Sequence, residues 1–144
     1  MFKTKKKYNI AIVGATGIVG ESLLDILYAR KFPVDNIVPL ASKRSAGSQV
    51  KFGNDLINVI ALDDYDFKEI DIAFFSAGSS VSKIFAPIAA KSGAVVIDNT
   101  SEFRYVDDIP LVVPEVNPHD IKKYNKTNII ANPNCSTIQM LVAL

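Results

Sequence analysis

The single cysteine of this 144-residue chain stands between an Asn-Pro-Asn turn and an apolar run that is typical of a helix. Cys135 is therefore expected at the start of a helix, where the positive end of the helix dipole favours a thiolate. A lone cysteine is more often a small core side chain, but the neighbours here are polar or turn-forming. A thiolate beside a nicotinamide can oxidise an aldehyde through a thiohemiacetal and an acyl thioester. Cys135 is the candidate catalytic nucleophile.

A glycine-rich segment near the other end of the chain has the GxxGxxG spacing of a turn that binds a dinucleotide. Glycines allow a tight turn and a close approach of the pyrophosphate, and the helix that follows offers unpaired N–H groups. A glycine-rich turn that binds nothing is the alternative. A second turn of small residues, at positions 76–80, is expected on the same side of the fold. The candidate cofactor-binding residues of the two turns are Gly14, Thr16, Gly17, Ile18, Val19, Gly20, Ser76, Ala77 and Gly78.

The end of the second predicted strand indicates which dinucleotide is bound. NAD sites carry an acidic residue about 20 positions past the glycines, where it binds the ribose 2′-hydroxyl. Lys43, Arg44 and Ser45 stand there instead, and cations with hydroxyls suit a 2′-phosphate. Arg44 and Ser45 are therefore candidate ligands of NADP, and a solvated basic loop is the alternative.

Two further residues are considered, one as a ligand of an anion and one as a catalytic base. Arg104 lies in a polar segment after a predicted strand, where its guanidinium could hold a phosphate or a carboxylate. A surface ion pair with Asp107 or Asp108 explains the same spacing equally well. His119, the single histidine, falls in the first turn of a predicted helix, where a cation is unfavourable. We interpret it as a surface residue and not as a catalytic base.

Strands and helices alternate along the chain, which predicts one fold class. Apolar runs at residues 8–13, 36–41, 71–75, 94–97 and 128–131 indicate buried strands. Residues 49–52 and 56–62 are expected to form a hairpin, and Pro39 suggests an edge strand or an early strand end. Helices are predicted at residues 21–30, 80–91 and 117–124. The pattern is typical of an α/β, Rossmann-like, doubly wound and mostly parallel sheet with helices on both faces.

In such a sheet, ligands bind at the carboxyl ends of the strands. Four turns follow strands in this way, at residues 14–20, 76–80, 98–104 and 132–135. They are far apart in sequence, but the fold places them along one rim. The candidate residues are therefore expected to meet there.

The composition excludes several classes of protein. Hydrophobic residues make up 49% of the chain and the net charge is +1, which argues against disorder and against general electrostatic binding of nucleic acid. One cysteine and one histidine cannot build a structural zinc site, so no metal is expected. No apolar run approaches a membrane span, and no signal peptide is recognisable. A cytoplasmic protein without a membrane partner is the expectation.

The last residues suggest that the chain is part of a longer protein. After Thr137 the predicted helix is nearly all apolar and lacks a stop signal. We expect residues 1–134 to form a nucleotide-binding domain and residues 135–144 to begin a helix that leads to a second, α+β domain. A short apolar tail that folds back on its own sheet is the alternative. Left uncovered, this segment would favour self-association.

Taken together, the motifs resemble those of the aspartate-semialdehyde dehydrogenase family. The matching stretches follow the family's order and span nearly the whole chain, at residues 13–20, 75–80, 97–104, 110–117 and 132–139. The resemblance implies an NADP-binding domain in which residues 16–19, Arg44 and Ser45 hold the NADP. It implies that Cys135 forms the acyl-enzyme and that Arg104 and Asn134 bind the inorganic phosphate that cleaves it.

The family interconverts aspartyl 4-phosphate plus NADPH with aspartate 4-semialdehyde, NADP and phosphate, and supplies lysine, diaminopimelate, threonine and methionine synthesis. Its members form homodimers or homotetramers through a second domain that also carries the general-base histidine and the arginine for the substrate carboxylate. His119 does not match that histidine, so the resemblance implies that these 144 residues alone are inactive.

Two other interpretations remain open. Enzymes that reduce N-acetylglutamyl phosphate also pair this fold with a cysteine thiolate, although they carry a glycine where Asn134 precedes the cysteine. A non-catalytic module that binds or senses NADP is the second alternative. Titration with NADP in the presence and absence of aspartate semialdehyde would separate binding from catalysis.

Overall fold

A computed structural model describes residues 5–144 and gives the order of the elements. The strands are β1 (Tyr8–Val13), β2 (Val34–Ala41), β3 (Gln49–Phe52), β4 (Asp55–Asn58), β5 (Ile60–Ala61), β6 (Ile72–Phe75), β7 (Val95–Asp98) and β8 (Ile129–Ala131). The helices are α1 (Ile18–Ala29), α2 (Ser79–Lys91) and α3 (Cys135–Ala143), with 3₁₀ helices at Phe67–Glu69 and Pro118–Lys126.

Six strands form a parallel sheet in the order β5-β2-β1-β6-β7-β8, and β3 and β4 form a separate antiparallel hairpin. The order reverses direction at β1, as it does in doubly wound folds that bind dinucleotides. The predicted fold class is therefore confirmed. No helix among residues 5–144 is long and apolar enough to cross a membrane.

The central strand is buried on both faces, and its side chains alternate between two cores. Ile10 and Ile12 pack on one side with Leu24 of α1 and with the β3–β4 hairpin. Val13 packs on the other side with Ala86 of α2. Because a parallel sheet needs cover on both faces, this alternation fixes α1 and α2 on opposite sides of the sheet.

Helix α1 begins earlier than the sequence predicts, at Ile18 rather than Glu21. The backbone N–H of Glu21 already donates to the carbonyl of Gly17 at 2.9 Å, and Gly17 is the N-cap. Ile18, Val19 and Gly20 therefore belong to the first turn of the helix and not to the loop. The glycines misled the prediction because they are poor helix formers in general.

Strand β2 is not an edge strand, which corrects the expectation based on Pro39. The carbonyl of Leu40 accepts from Gly14 beyond β1, whereas the carbonyl of Ala41 accepts from Leu62 on the β5 side. Backbone groups alternate along a strand, so the nitrogen of Pro39 faces the β5 side with Ala41. β5 pairs only with Leu40 and Ala41, so the missing N–H of Pro39 costs no ladder hydrogen bond.

The predicted second hairpin strand at residues 56–62 is two strands in the structure. β4 pairs with β3, and two residues after its end the chain joins β2 as the short parallel strand β5. Val59 makes this change of sheet by exchanging backbone hydrogen bonds with Gly47 and Ser48. As a result, Leu62 and Asp63 arrive at the carboxyl end of the main sheet.

The predicted helix at residues 117–124 is a 3₁₀ helix, Pro118–Lys126. It has no buried residue. Asn117 is its N-cap residue, but the side chain makes no capping bond; its amide oxygen instead accepts from the N–H of Val113 at 2.8 Å. Without an apolar face to bury, the segment gains little from the longer i→i+4 pattern.

The tightest packing in the β1–α1 turn generates a stability prediction. A Cβ added at Gly20 would lie 2.7 Å from the Cα of Ala15 and closer still to the carbonyl oxygen of Gly14, whereas one added at Gly17 would meet that oxygen at 3.4 Å. We expect Gly20→Ala to lower the free energy of unfolding by about 3 kcal/mol. Gly17→Ala, the matched control at an N-cap, should cost less than about 1 kcal/mol. Urea denaturation measures both, and equal losses would contradict this packing.

Candidate active site

Five polar or glycine residues follow directly after the carboxyl ends of five parallel strands. These positions, one after each of β1, β2, β6, β7 and β8, are Gly14, Ser42, Ser76, Asn99 and Asn132. Since all of these strands run in the same direction, the residues line one rim, as the sequence predicts. From β1 to β8 the rim spans three strand spacings, or roughly 14 Å.

The turn between β1 and α1 is tight and packs against the turn after β6. Gly14 has φ +92°, a conformation that side chains disfavour, and a Cβ there would lie 3.0 Å from the Oγ of Ser76. The N–H of Gly14 donates to Leu40, and the Ser76 hydroxyl donates to the carbonyl of Val13 at 3.2 Å. The turns after β1 and β6 are thus packed together, and the start of α1 points its N–H groups to the same side.

A cleft of about 390 Å³ opens beside this turn. Six of the predicted cofactor residues line it: Gly14, Thr16, Gly17, Ser45, Ser76 and Ala77. The other lining residues are Val13, Ala41, Ser42, Leu62, Asp63, Val81 and Phe85. The cleft thus has an apolar wall with a few polar groups, as small-molecule sites commonly do.

The other predicted cofactor residues lie outside the lining of this cleft. Gly20 is buried beneath the turn, whereas Ile18 is 85% exposed and Val19 is also exposed at the start of α1. Gly78, with φ +99°, is the N-cap of α2. Arg44 is exposed and makes no ion pair within residues 5–144.

Asp63 is a cleft residue that sequence reasoning missed. It follows β5, a strand too short to be recognised by periodicity, and its carboxylate lies 3.3 Å from the ammonium of Lys43. Asp64 lies 3.9 Å from the same ammonium. The basic turn after β2 is therefore partly neutralised by its neighbour in the sheet.

Arg104 is tied to the rim by the main chain. Its Nε donates to the carbonyl of Asn132 at 3.1 Å, and one terminal nitrogen donates to the carbonyl of Asn99 at 3.2 Å. The alternative ion pair with Asp107 or Asp108 does not form, and Asp108 instead binds Lys126 at 2.7 Å. A guanidinium carries more N–H donors than these two bonds use, so Arg104 can still bind an anion.

Asn99 and Asn132 bridge the ends of β7 and β8. The Nδ2 of Asn132 donates to the Oδ1 of Asn99, and both residues present their carbonyls to Arg104. Sequence reasoning did not single out either residue, although each stands directly after a strand. That position was the available signal.

A buried carboxyl group supports the same corner of the rim. Asp98 is fully buried, and its two oxygens accept hydrogen bonds at 2.7 Å from the hydroxyls of Ser82 and Thr100. Thr100 in turn accepts from the N–H of Glu102 at 3.3 Å. The hydroxyls of Ser79 and Ser101 form a second link, at 2.9 Å. Helix α2 is thereby joined to the segment that carries Arg104.

Cys135 is the first residue of α3, as predicted, and it is exposed. The exposure argues against a core side chain. Asn134 is the N-cap, and its Oδ1 accepts from the N–H of Ser136 at 2.9 Å. That bond leaves the amide NH₂ of Asn134 as a donor for an anion beside the sulfur.

His119 lies on the surface of the 3₁₀ helix, with a 77% exposed side chain 3.9 Å from Asp120. Hydrogen bonds from Lys123 and from Asn117 hold the pKa of Asp120 below its usual value. Among residues 5–144 no group of three His, Cys, Asp or Glu side chains is arranged to hold a metal ion.

The network around Asp98 generates a second stability prediction. Asp98→Ala leaves two buried hydroxyls without their acceptor, so we expect the free energy of unfolding to fall by about 3 kcal/mol. Asp98→Asn should cost less, because a hydroxyl can accept from the new amide. Asp107→Ala, at an exposed aspartate, is the control and should change stability by less than about 0.5 kcal/mol in urea denaturation. An equal effect of all three would contradict a structural role for Asp98.

Comparison with known proteins agrees with this geometry. The aspartate-semialdehyde dehydrogenase of Campylobacter jejuni is 62% identical over 141 residues, which are 96% of this chain and 41% of that protein. The crystal structure of aspartate semialdehyde dehydrogenase II from Vibrio cholerae, complexed with ASA, superposes with a TM-score of 0.93 at 56% identity, over 96% of this chain and 45% of that one. The chain spans about two fifths of the length of the curated relatives it matches.

A more distant structure carries the dinucleotide in its name. Aspartate semialdehyde dehydrogenase with NADP from Candida albicans is 26% identical and has a TM-score of 0.77, over 94% of this chain and 45% of that one. The family model described as "Semialdehyde dehydrogenase, NAD binding domain" matches residues 9–124. Its match covers most of the rim described above, so the chain belongs to the semialdehyde dehydrogenase NAD-binding domain family.

Proposed function

We propose that this chain is the NADP-binding and nucleophile-bearing part of an aspartate-semialdehyde dehydrogenase. The observation that supports this most is the placement of a dinucleotide cleft, Arg104 and Cys135 on one rim of the sheet. Relatives 55–62% identical over nearly the whole chain carry that name. The reaction interconverts aspartate 4-semialdehyde, phosphate and NADP with aspartyl 4-phosphate and NADPH.

The residues present fit a dinucleotide. The turn after β1 is closed by glycine at the positions where a Cβ would strike Ser76 or Ala15. The N–H groups of Gly14, Ala15 and Gly17 are bonded to backbone carbonyls, so the N–H groups at the start of α1 would meet the pyrophosphate. Arg44 and Ser45 lie in the turn that follows β2, where they would contact a 2′-phosphate. Ser76, Ala77 and Gly78 would contact the part of the dinucleotide nearer β6. When bound there, NADP supplies the hydride acceptor.

Cys135 would perform the covalent chemistry. Its thiolate adds to the aldehyde carbon, and loss of hydride from that carbon leaves an acyl group bonded to the sulfur. The start of α3 stabilises the negative sulfur before attack and again when it leaves. Because Cys135 is exposed on the rim, the aldehyde can approach it without any rearrangement of residues 5–144.

Arg104 and Asn134 would hold the phosphate that cleaves the thioester. Arg104 is preorganised by the carbonyls of Asn99 and Asn132, and the amide of Asn134 is oriented by its capping bond. Donors fixed in this way bind an oxyanion with little reordering. The phosphate oxygen attacks the acyl carbon, and the sulfur leaves as a thiolate.

The remaining parts of the reaction are assigned to the rest of a longer protein. We propose that residues 1–134 form the nucleotide-binding domain and that residues 135–144 lead into the domain with the general base and the substrate anchor. That domain would also form the homodimer or homotetramer, in the cytoplasm. His119 is placed on the surface of the 3₁₀ helix, so these residues alone are expected to bind the cofactor without turnover.

Cofactor choice tests the nucleotide part of the proposal. We expect the chain to bind NADP more tightly than NAD, and Arg44→Asp to weaken NADP about tenfold while NAD changes less than about twofold. Arg30→Asp makes the same charge change at the C-cap of α1, the end away from the phosphate loop, and should leave both affinities nearly unchanged. Isothermal titration calorimetry measures these affinities. Equal binding of NADP and NAD by the unaltered chain would contradict the assignment.

Alkylation tests the role given to Cys135. Because α3 begins at Cys135, we expect iodoacetamide at pH 7 to modify it at least about threefold faster than a cysteine in an unstructured peptide. Mass spectrometry follows the reaction, and Cys135→Ser supplies the blank. Asn134→Ala removes the capping bond to Ser136 and should slow the reaction. A rate equal to that of the peptide would rule out activation by the helix start.

A further inference from the structure

We propose that Asp63 sets how strongly the cleft discriminates a ribose 2′-phosphate from a ribose 2′-hydroxyl, by holding Lys43 in an ion pair and placing a negative charge on the cleft wall. The inference rests on the proposed dinucleotide function. It concerns the two strands at the β5 edge of the sheet. Neither Asp63 nor Lys43 has a role in the proposed chemistry at Cys135.

The main chain brings Asp63 beside the basic turn. The N–H of Leu62 donates to the carbonyl of Ala41 at 2.9 Å, which joins the ends of β5 and β2. The N–H of Tyr65 then donates to Leu62 at 3.1 Å and closes the turn that carries Asp63. Asp63 is therefore held next to Ser42, and both residues line the cleft.

Two backbone hydrogen bonds hold the basic turn after β2. Both Ser45 and Ala46 donate their N–H groups to the carbonyl of Ser42, at 2.9 and 3.0 Å. This turn presents Lys43 toward β5, where its ammonium lies 3.3 Å from Asp63 and 3.9 Å from Asp64. Arg44 makes no ion pair in the part of the chain that the structure describes.

The two cations of the turn therefore have different roles. Arg44 can meet a 2′-phosphate directly, whereas Lys43 must first leave Asp63. The carboxylate also repels a phosphate dianion in the same cleft and could accept a hydrogen bond from an unmodified 2′-hydroxyl. Both effects act in the same direction, since each reduces the advantage of NADP over NAD.

Asp64 provides a matched control. It carries the same charge one residue further along, but its side chain is 87% exposed against 48% for Asp63, and it does not line the cleft. If only the overall charge of the chain mattered, neutralising either aspartate would change dinucleotide binding equally. A local competition for Lys43 and for the cleft wall predicts a clearly larger effect at Asp63, because Asp64 lies farther from the Lys43 ammonium, at 3.9 Å, and outside the cleft.

The test measures dissociation constants of NADP and NAD for the 144-residue chain by calorimetry at fixed ionic strength. We expect Asp63→Asn to raise the preference for NADP about fivefold, mainly through tighter NADP, and Asp64→Asn to change it less than about twofold. Adenosine 2′,5′-bisphosphate and AMP should show the same contrast, which locates the effect at the adenosine end. An unchanged or reduced preference in Asp63→Asn, or an equal gain in Asp64→Asn, would overturn the proposal.

Lys43 gives a second route to the same decision, including when Asp63→Asn does not fold. Lys43→Gln should alter the NADP preference less than about twofold in the unaltered chain, because Asp63 already holds that ammonium. In the Asp63→Asn background it should remove most of the gain. A large loss from Lys43→Gln alone would show that Lys43 already serves the phosphate and would overturn the inference. Failure of the unaltered chain to bind either dinucleotide would instead overturn the proposed function, and this inference with it.

Discussion

The rest of the structure depends on how closely α1 approaches the turn that precedes it. Gly20, in the first turn of the helix, packs against the backbone of Gly14 and Ala15, with no space for a Cβ. This contact sets the direction in which α1 leaves β1, and so sets where its N–H groups point. It also brings Gly14 to the wall of the cleft, where it packs beside Ser76. The proposed binding of a dinucleotide pyrophosphate therefore depends on close packing between two stretches of backbone.

A network of polar groups, most of them neutral, connects the elements on the far side of the rim. Asp98 joins α2 to the loop after β7, and the Asn99–Asn132 pair joins that loop to β8. Arg104 bonds to both residues of this pair and is held by their carbonyls rather than by carboxylates. A carboxylate partner would have neutralised the guanidinium. Carbonyl partners orient it and leave its charge available for an anion.

The sequence predicts the parallel sheet, the glycine turn after β1 and the place of Cys135 because each has a local signature: a buried strand, spaced glycines or a capping residue before an apolar run. It does not predict β5, since two residues carry no periodicity, and Asp63 was missed for the same reason. The Asn99–Asn132 pair depends on the register between β7 and β8, which no local pattern encodes. The sites of contact between elements are therefore the part that requires the structure.

The position and the electrostatic environment of Cys135 come from different sources. Its position is fixed by β8. Ala131 donates its N–H to Pro110 and accepts from Val112, and Asn132 donates its N–H to the carbonyl of Asp98. Its environment within residues 5–144 comes from the start of α3 and the cap at Asn134. A change at the cap alters the helix end without moving the strand, whereas a change in the segment between β7 and β8 that contains Pro110 and Val112 moves the sulfur relative to the cleft. The two contributions can therefore be varied separately, so the position of the proposed nucleophile can be distinguished from its activation.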